Sequence, residues 1–331
     1  MKQKYLITGI TGFAGPHLAN LLHAEGHEVY GLVRCSNGRE NDIRDVVNDN
    51  VYNSIKFVYG DLKNLRILQK IFKETEFDGV YHLAAQSHPP TSFLDPVGTF
   101  EDNVMGTVNL IQAITDNQGL GQKTCKLMFC STSEVYGNSG SDGRKIHWDD
   151  KLEPSNPYGT SKAAIDLYVQ ERITNGMLTG FTTRAFSHTG PRRGKNFSIS
   201  SDAYQIARMM KGMQEKELLI GNLKTTRVVI DVRDTVKAYY LGMMCKESNG
   251  KIFNVCGDTP HKMQYFTDKL IESSGLEDVK QKIHDPFYRP IDIHYQHGDS
   301  SNLKELTGWE PEIPIEQTLS DLLDYWVAKI N

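Results

Sequence analysis

The sequence predicts a doubly wound α/β protein: a parallel sheet with helices on both faces, followed by a smaller C-terminal α/β region. Three observations carry this. Short strand-like runs alternate with helix-like stretches through the first half of the 331 residues, the pattern of successive βαβ units. A turn with glycines at positions 9, 12 and 15 joins the first strand to the first helix. After Phe186 the alternation lapses, and loops, isolated helices and one late strand take over.

Tyr5, Leu6 and Ile7 form the first apolar run, and Leu18, Leu21 and Leu22 set a helical period behind the glycines. Strands follow at 28–33, 55–59 and 79–83, rich in β-branched and aromatic residues. Residues 104–114 have helical apolar spacing, 126–130 form a fifth strand and 181–186 a sixth. Pro191-Arg192-Arg193-Gly194 is a loop, 202–213 a helix, and 251–255 a strand able to return to the main sheet. Beyond Pro314, Leu319, Leu322, Leu323 and Trp326 mark a closing helix. Residues 137–153, rich in Gly, Ser and Asp, read as a mobile surface loop. The boundary is drawn at 186, giving regions 1–186 and 187–331.

Charged residues are 24% and the apolar set 39%, which excludes a disordered chain and leaves enough for a large core. Lys and Arg number 37 against 41 Asp and Glu, a formal net charge of −4. No global basic field exists to hold nucleic acid or an anionic membrane, and neither is expected as a partner. An anionic ligand must therefore find a local basic pocket. No apolar run reaches membrane-spanning length. Five scattered cysteines with no Cys-x-x-Cys pair read as free thiols in a reducing compartment, and no metal is expected. The basic, then apolar start is interrupted by Gly9, Gly12, Gly15 and His17, so it does not read as a signal segment. The expected location is cytoplasmic.

The glycine turn suits a pyrophosphate. Gly9, Thr11, Gly12, Phe13 and Gly15 let backbone N–H groups at a helix start approach bound phosphates. The spacing GxxGxxG differs from the GxGxxG dinucleotide fingerprint, and its place between strand and helix strengthens it. Where a site that prefers NAD carries an acid after the second strand, this chain has Val33-Arg34-Cys35-Ser36. A guanidinium at Arg34 suits a 2′-phosphate, so NADP is expected in preference to NAD. Asp61, directly after the third strand, is placed either for the adenine amino group or as a helix cap.

Tyr158 and Lys162 stand four residues apart, on one face of a helix that Pro157 can open. A neighbouring ammonium favours phenolate, so Lys162 is expected to pull the Tyr158 pKa down toward a general base. Ser131-Thr132-Ser133-Glu134 follows the fifth strand, at the carboxyl edge where open α/β sheets bind ligands.

Together with Asp61-Leu62 and His82-Leu83-Ala84-Ala85, these motifs resemble the extended short-chain dehydrogenase/reductase family over nearly the whole chain. Leu6-Ile7-Thr8-Gly9-Ile10-Thr11-Gly12, Ala84-Ala85-Gln86-Ser87-His88, Thr132-Ser133-Glu134 and Pro191-Arg192-Arg193-Gly194-Lys195-Asn196-Phe197 resemble GDP-mannose 4,6-dehydratases. Asp231-Val232-Arg233-Asp234 and Thr307-Gly308-Trp309-Glu310-Pro311 resemble both these and GDP-4-keto-6-deoxymannose reductases. The resemblance implies a Rossmann-type NADP-binding region at 1–186 and a sugar-nucleotide-binding region at 187–331, with a GDP-hexose or GDP-heptose as substrate.

The resemblance also implies an internal redox cycle. Tyr158 takes the proton of the sugar 4-hydroxyl while C4 gives hydride to NADP⁺. Lys162 holds the nicotinamide ribose, Thr132 bonds the C4 oxygen, and Glu134 removes the acidified C5 proton as water leaves C6. Hydride then returns to C6. Leu62, Leu83, Ala84, Ala85 and His188 join the cofactor set, and Ser87, Ser187 and Asn196 the substrate set. Arg193, Arg227 and Arg289 are candidates for the diphosphate, which needs charge-assisted partners. The chain departs from the dehydratases at Ser187, at Val228, and at Ser198-Ile199-Ser200-Ser201-Asp202, a reductase-like stretch. A 4-keto sugar-nucleotide reductase, C4 dehydrogenase or epimerase is the alternative enzyme. A non-catalytic NADP-binding regulator would have lost the Tyr/Lys pair. Helices at 100–118 and 158–174 pair across a two-fold in the family, implying a homodimer or homotetramer.

Overall fold

The computed structural model describes residues 2–34, 39–119, 124–287 and 292–330. Six strands appear in the first part: β1 (Lys4–Thr8), β2 (Glu28–Val33), β3 (Lys56–Tyr59), β4 (Gly79–His82), β5 (Lys126–Thr132) and β6 (Thr179–Ala185). The short strands β7 (Ser187–Thr189), β8 (Glu217–Ile220), β9 (Thr226–Arg227) and β10 (Val229–Asp231) intervene before β11 (Ile252–Val255). Seven strands form one sheet in the order β11-β6-β5-β4-β1-β2-β3, every pair parallel. The chain winds outward both ways from β1, so a crevice opens at the carboxyl ends of β1 and β4.

Helices α1 (Ala14–Ala24), α2 (Asp49–Ser54), α3 (Leu65–Glu74), α4 (Pro89–Leu94), α5 (Pro96–Phe100), α6 (Gly106–Gly119) and α7 (Pro157–Thr174) belong to the first part. Then come α8 (Ser198–Met210), α9 (Val232–Met244), α10 (Met263–Ser274), α11 (Ser301–Thr307) and α12 (Ile315–Lys329). Leu18, Leu22, Tyr239 and Met243 from α1 and α9 fill one side of the sheet. Leu68, Phe72, Leu110, Ile165 and Val169 from α3, α6 and α7 fill the other. With both faces covered, β1 and β2 read as continuous apolar runs and not as alternation. A third core joins α8, α10 and α12 through Ile206, Phe266, Leu270, Leu319 and Leu322. No described helix is long and apolar enough to cross a membrane.

Two sequence expectations need correction. The helix expected at 202–213 begins at Ser198, so the Ser-rich stretch after Phe197 is helical. The segment 137–153 is exposed only in part. Ile146 is fully buried; its N–H donates to the His297 carbonyl at 2.7 Å, and its own carbonyl accepts from Asp299 N at 2.8 Å. Arg184 donates to the Trp148 carbonyl at 2.7 Å. One buried β-branched residue anchors a stretch whose average composition reads as free loop.

Apolar side chains cluster on the outside of α4, α5 and α7. Leu94 is 88% and Val97 69% exposed, with Phe100, Met105 and Leu167 also open to solvent. Phe100, Met105 and Leu167 belong to the two helical stretches expected to pair with a second copy.

Candidate active site

A cleft of about 960 Å³ runs from the glycine turn, past the carboxyl ends of β4 and β5, to the first turns of α8. Gly9 closes β1 at φ +74°. A Cβ on Gly15 would stand 2.6 Å from the Gly9 carbonyl oxygen and from Ile10 Cα, so only glycine fits there. Thr11, Gly12 and Phe13 line the cleft between them. The arrangement is the cradle a dinucleotide pyrophosphate requires.

The far end of this cradle is cationic. Arg34 lines it, paired with Asp102 at 3.6 Å, and Lys63 reaches the same carboxylate at 3.0 Å. Arg39 faces the same space. Asp61 and Leu62 form the wall after β3, and Asp61 Oδ1 accepts from Lys63 N at 2.9 Å. The helix cap is Asn64, whose side chain accepts from Ile67 N, so Asp61 is released from that duty. Leu83, Ala84 and Ala85 form the wall after β4. They are held by His82, whose ring bridges Thr8 Oγ1 at 2.6 Å and Thr107 Oγ1 at 2.8 Å. Burial, reinforced by Lys162, pushes the His82 pKa down to about 3, so the ring is a neutral strut.

Thr132, Glu134, Tyr158 and Lys162 converge on the middle of the cleft. Thr132 ends β5, and its Oγ1 accepts from Glu134 N at 3.3 Å. Tyr158 sits in the first turn of α7, whose Pro157 occupies the opening position. Asn156 caps that helix through Gly159 N at 2.8 Å, and its Nδ2 donates to Glu134 Oε2 at 2.7 Å. One side chain thus fixes both the helix that carries Tyr158 and the carboxylate beside it.

The expected activation of Tyr158 by Lys162 is not seen. Burial raises the phenol well above its ordinary value, opposed by a hydrogen bond with Thr132. The Lys162 ammonium lies 4.4 Å over the Phe129 ring, and burial pushes it down to about 8. Among the described residues no carboxylate lies within ion-pair reach of it. Both groups are desolvated together, and the cation rests against an aromatic face instead of the phenol. Ser131 Oγ, also buried, has no hydrogen-bond partner among the described residues. A buried ammonium and an orphaned hydroxyl beside a glycine cradle fit the polyhydroxyl, anionic surface of a nicotinamide dinucleotide.

On the opposite wall, the ring of His188 in β7 stacks on Phe13 at 5.7 Å and shares Nδ1 with the Phe186 carbonyl at 2.9 Å. Burial pushes His188 down to about 4, so it too is neutral. Arg193 lies against the rings of Phe197 and Phe13, with its guanidinium carbon 3.5 and 4.8 Å from their centroids. This puts it between the glycine turn and the loop that leads into α8. Burial pushes its pKa down to about 10. Arg227 lines the far wall, but donates to the Thr226 and Ile293 carbonyls and pairs with Asp292 at 3.6 Å. Ser87, Ser187 and Asn196 border the cleft. Arg289 lies outside the described residues.

Sequence reasoning missed Arg192. At φ +76°, it swings its guanidinium to donate to the Gly12 carbonyl at 2.9 Å and the Thr11 carbonyl at 3.0 Å, and it pairs with Asp45 at 3.1 Å. It ties these two carbonyls of the glycine turn to the loop after β7. The doubled arginine carried the signal, with its two members doing different work. The Asp231–Asp234 motif, in turn, proves to be scaffold: Asp231 caps α9 and accepts from Thr318 Oγ1 at 2.9 Å, while Trp309 Nε1 donates to the Asp234 carbonyl at 2.9 Å.

A family model described as GDP-mannose 4,6 dehydratase matches residues 6–322. The chain is 31% identical over 333 residues to the GDP-6-deoxy-D-mannose reductase of Pseudomonas aeruginosa, covering 100% of this chain and 99% of that one. It is 30% identical over 356 residues to a GDP-mannose 4,6-dehydratase of Vibrio cholerae, covering 98% and 93%. Its fold matches the structure of RMD from Pseudomonas aeruginosa complexed with NADPH at a TM-score of 0.81 and 27% identity, covering 99% and 100%.

Proposed function

We propose a function from one premise: the chain belongs to the GDP-mannose 4,6 dehydratase family. On that premise it is a sugar-nucleotide 4,6-dehydratase that converts a GDP-hexose or GDP-heptose into its 4-keto-6-deoxy form. Bound NADP supplies a reversible hydride acceptor at the sugar. Tyr158 takes the proton of the 4-hydroxyl, and Thr132 bonds the C4 oxygen. With a ketone at C4 the C5 hydrogen is acidic enough for a carboxylate, and Glu134 removes it as the C6 hydroxyl leaves as water; the hydride taken from C4 would then return to C6 and a proton to C5, which gives the 4-keto-6-deoxy sugar. Lys162 supplies positive charge beside the ribose.

The observation that carries this reading is Glu134, held by Asn156 in the same wall of the cleft as Tyr158. A reductase needs the phenol but no such base. The reductase reading is second, favoured by the Pseudomonas relative and by the stretch from Ser198 to Asp202. Incubation with GDP-mannose separates them: a dehydratase yields a product lighter by one water with no net change in NADPH. Consumption of NADPH on a 4-keto substrate without water loss gives the reductase, and neither result removes both readings.

NADP is favoured by Arg34 and Lys63 at the cradle's end. Arg34→Ala should weaken NADP far more than NAD, since each lost charge-assisted bond costs about 1.5–3 kcal/mol. Equal weakening of the two cofactors in binding titrations removes the preference. The apolar face on α4, α5 and α7 supports a homodimer. Light scattering should give at least twice the chain mass, and a monomer at micromolar concentration overturns that assembly.

A further inference from the structure

We propose that Asn156 is a positioning residue for the elimination step: its side-chain amide holds the Glu134 carboxylate where the C5 proton is taken. This deepens the dehydratase reading above and rests on it.

Asn156 is 7% exposed and does not itself line the cleft, whereas Glu134 does. It acts on the site through the residues it holds. Both ends of its amide are engaged. Oδ1 accepts from Gly159 N at 2.8 Å, and Nδ2 donates to Glu134 Oε2 at 2.7 Å. A turned amide would set oxygen against carboxylate and NH2 against N–H, so the two partners fix its orientation. The Asn156 carbonyl is engaged as well, accepting from Thr160 N at 2.9 Å and from Thr160 Oγ1 at 3.0 Å. The first turn of α7 also sits hard on the residues after β5. A Cβ on Gly159 would stand 2.8 Å from the Glu134 carbonyl oxygen, so glycine lets the helix come this close.

Capping alone does not call for this residue. A helix start needs only an acceptor, which Ser or Asp supplies about equally well. Asn adds an NH2 group on a separate atom, and here that group goes to Glu134. A base must meet the C5 hydrogen while Tyr158 and Thr132 hold the oxygen on the neighbouring carbon. A glutamate side chain is rich in rotamers, and holding it removes those that miss the hydrogen. The donor is neutral, so the carboxylate keeps its charge, and each of its oxygens accepts more than one bond. One buried side chain therefore sets the base and the phenol-bearing helix in a single frame.

The test uses two substitutions that keep the cap, Asn156→Ser and Asn156→Asp, in the NADP-loaded full-length chain with GDP-mannose. Serine is too short to hold Glu134, and aspartate sets a second carboxylate against it. Reduced cofactor formed in a single turnover reports C4 oxidation, and exchange of the C5 hydrogen with solvent deuterium reports the base. Exchange should fall roughly tenfold or more in Asn156→Ser, the worth of one charge-assisted bond, and further in Asn156→Asp. C4 oxidation should change far less, so reduced cofactor should build up on the enzyme. NADP binding and melting temperature check that both variants are folded. Wild-type exchange in both overturns the positioning role and leaves Asn156 a cap. Oxidation and exchange falling by the same factor also overturns it, because a loosened α7 displaces Tyr158 as much as Glu134. A wild type that releases no water from GDP-mannose fails the dehydratase reading itself, and the proposal with it, whatever the variants do.

Discussion

Tyr158→Phe should lower turnover by a factor of order 10²–10⁴, the usual worth of one acid–base group. It should leave NADP and nucleotide binding nearly unchanged, because the ring is retained and only the hydroxyl is lost. The phenol is buried beside Thr132 and raised well above its ordinary value, so it acts as a base only as phenolate, the form that the neighbouring Lys162 charge and a bound nicotinamide cation would favour. The α7 frame does not depend on that hydroxyl: Tyr158 N donates to Ser92 Oγ at 3.0 Å, and Ser161 Oγ donates to the Tyr158 carbonyl at 2.8 Å. Steady-state rates and binding titrations on the same preparation decide it. Turnover at the wild-type rate means the chemistry lies elsewhere in the cleft.

The second large effect belongs to Glu134. Glu134→Gln keeps the shape of the side chain and can still accept from Asn156, so the wall of the cleft should hold. The proton acceptor is gone. Exchange of the C5 hydrogen with solvent deuterium and release of water should fall together, again by a factor of order 10²–10⁴. Nucleotide binding should not move. A purely structural role would shift binding or melting temperature instead and leave the exchange-to-turnover ratio alone. If Glu134→Gln makes the 4-keto-6-deoxy product at the wild-type rate, the carboxylate is no base. If the wild type itself never releases water, the reductase reading replaces the dehydratase one.

The strands of the main sheet were legible because each is a short apolar run between turns, and a sheet covered on both faces needs little more than that. The glycine turn was legible because a backbone constraint leaves its mark on residue type. That Thr132, Glu134, Tyr158 and Lys162 line one cleft was legible because their spacings are local. What was hidden depends on pairings distant in sequence. Arg192 reaches a carbonyl 181 residues away, and Asn156 reaches Glu134 22 residues back; neither distance leaves a periodic trace. The expected lowering of the Tyr158 pKa failed for a related reason. Sequence gives the separation of two residues along a helix, but not the burial that raises the phenol or the Phe129 ring against which the ammonium rests.

The return of β11 to the edge of the main sheet bears on how the molecule is made. Its partner β6 is complete at Ala185, yet the strand that covers it comes only after β7 to β10 and α9 have been synthesised. During that interval a nascent chain carries β6 as an open edge, the kind of surface that pairs with other chains. The same thread governs inheritance. A C-terminal part exchanged between relatives by a single crossover near residue 186 would bring a foreign β11 into the resident sheet. That strand must still pair with β6 in register, and its Asn254 must still accept from Tyr136 Oη at 2.8 Å. The two parts of this chain are therefore tied by one strand, and a change of either must keep the pairing of β11 with β6.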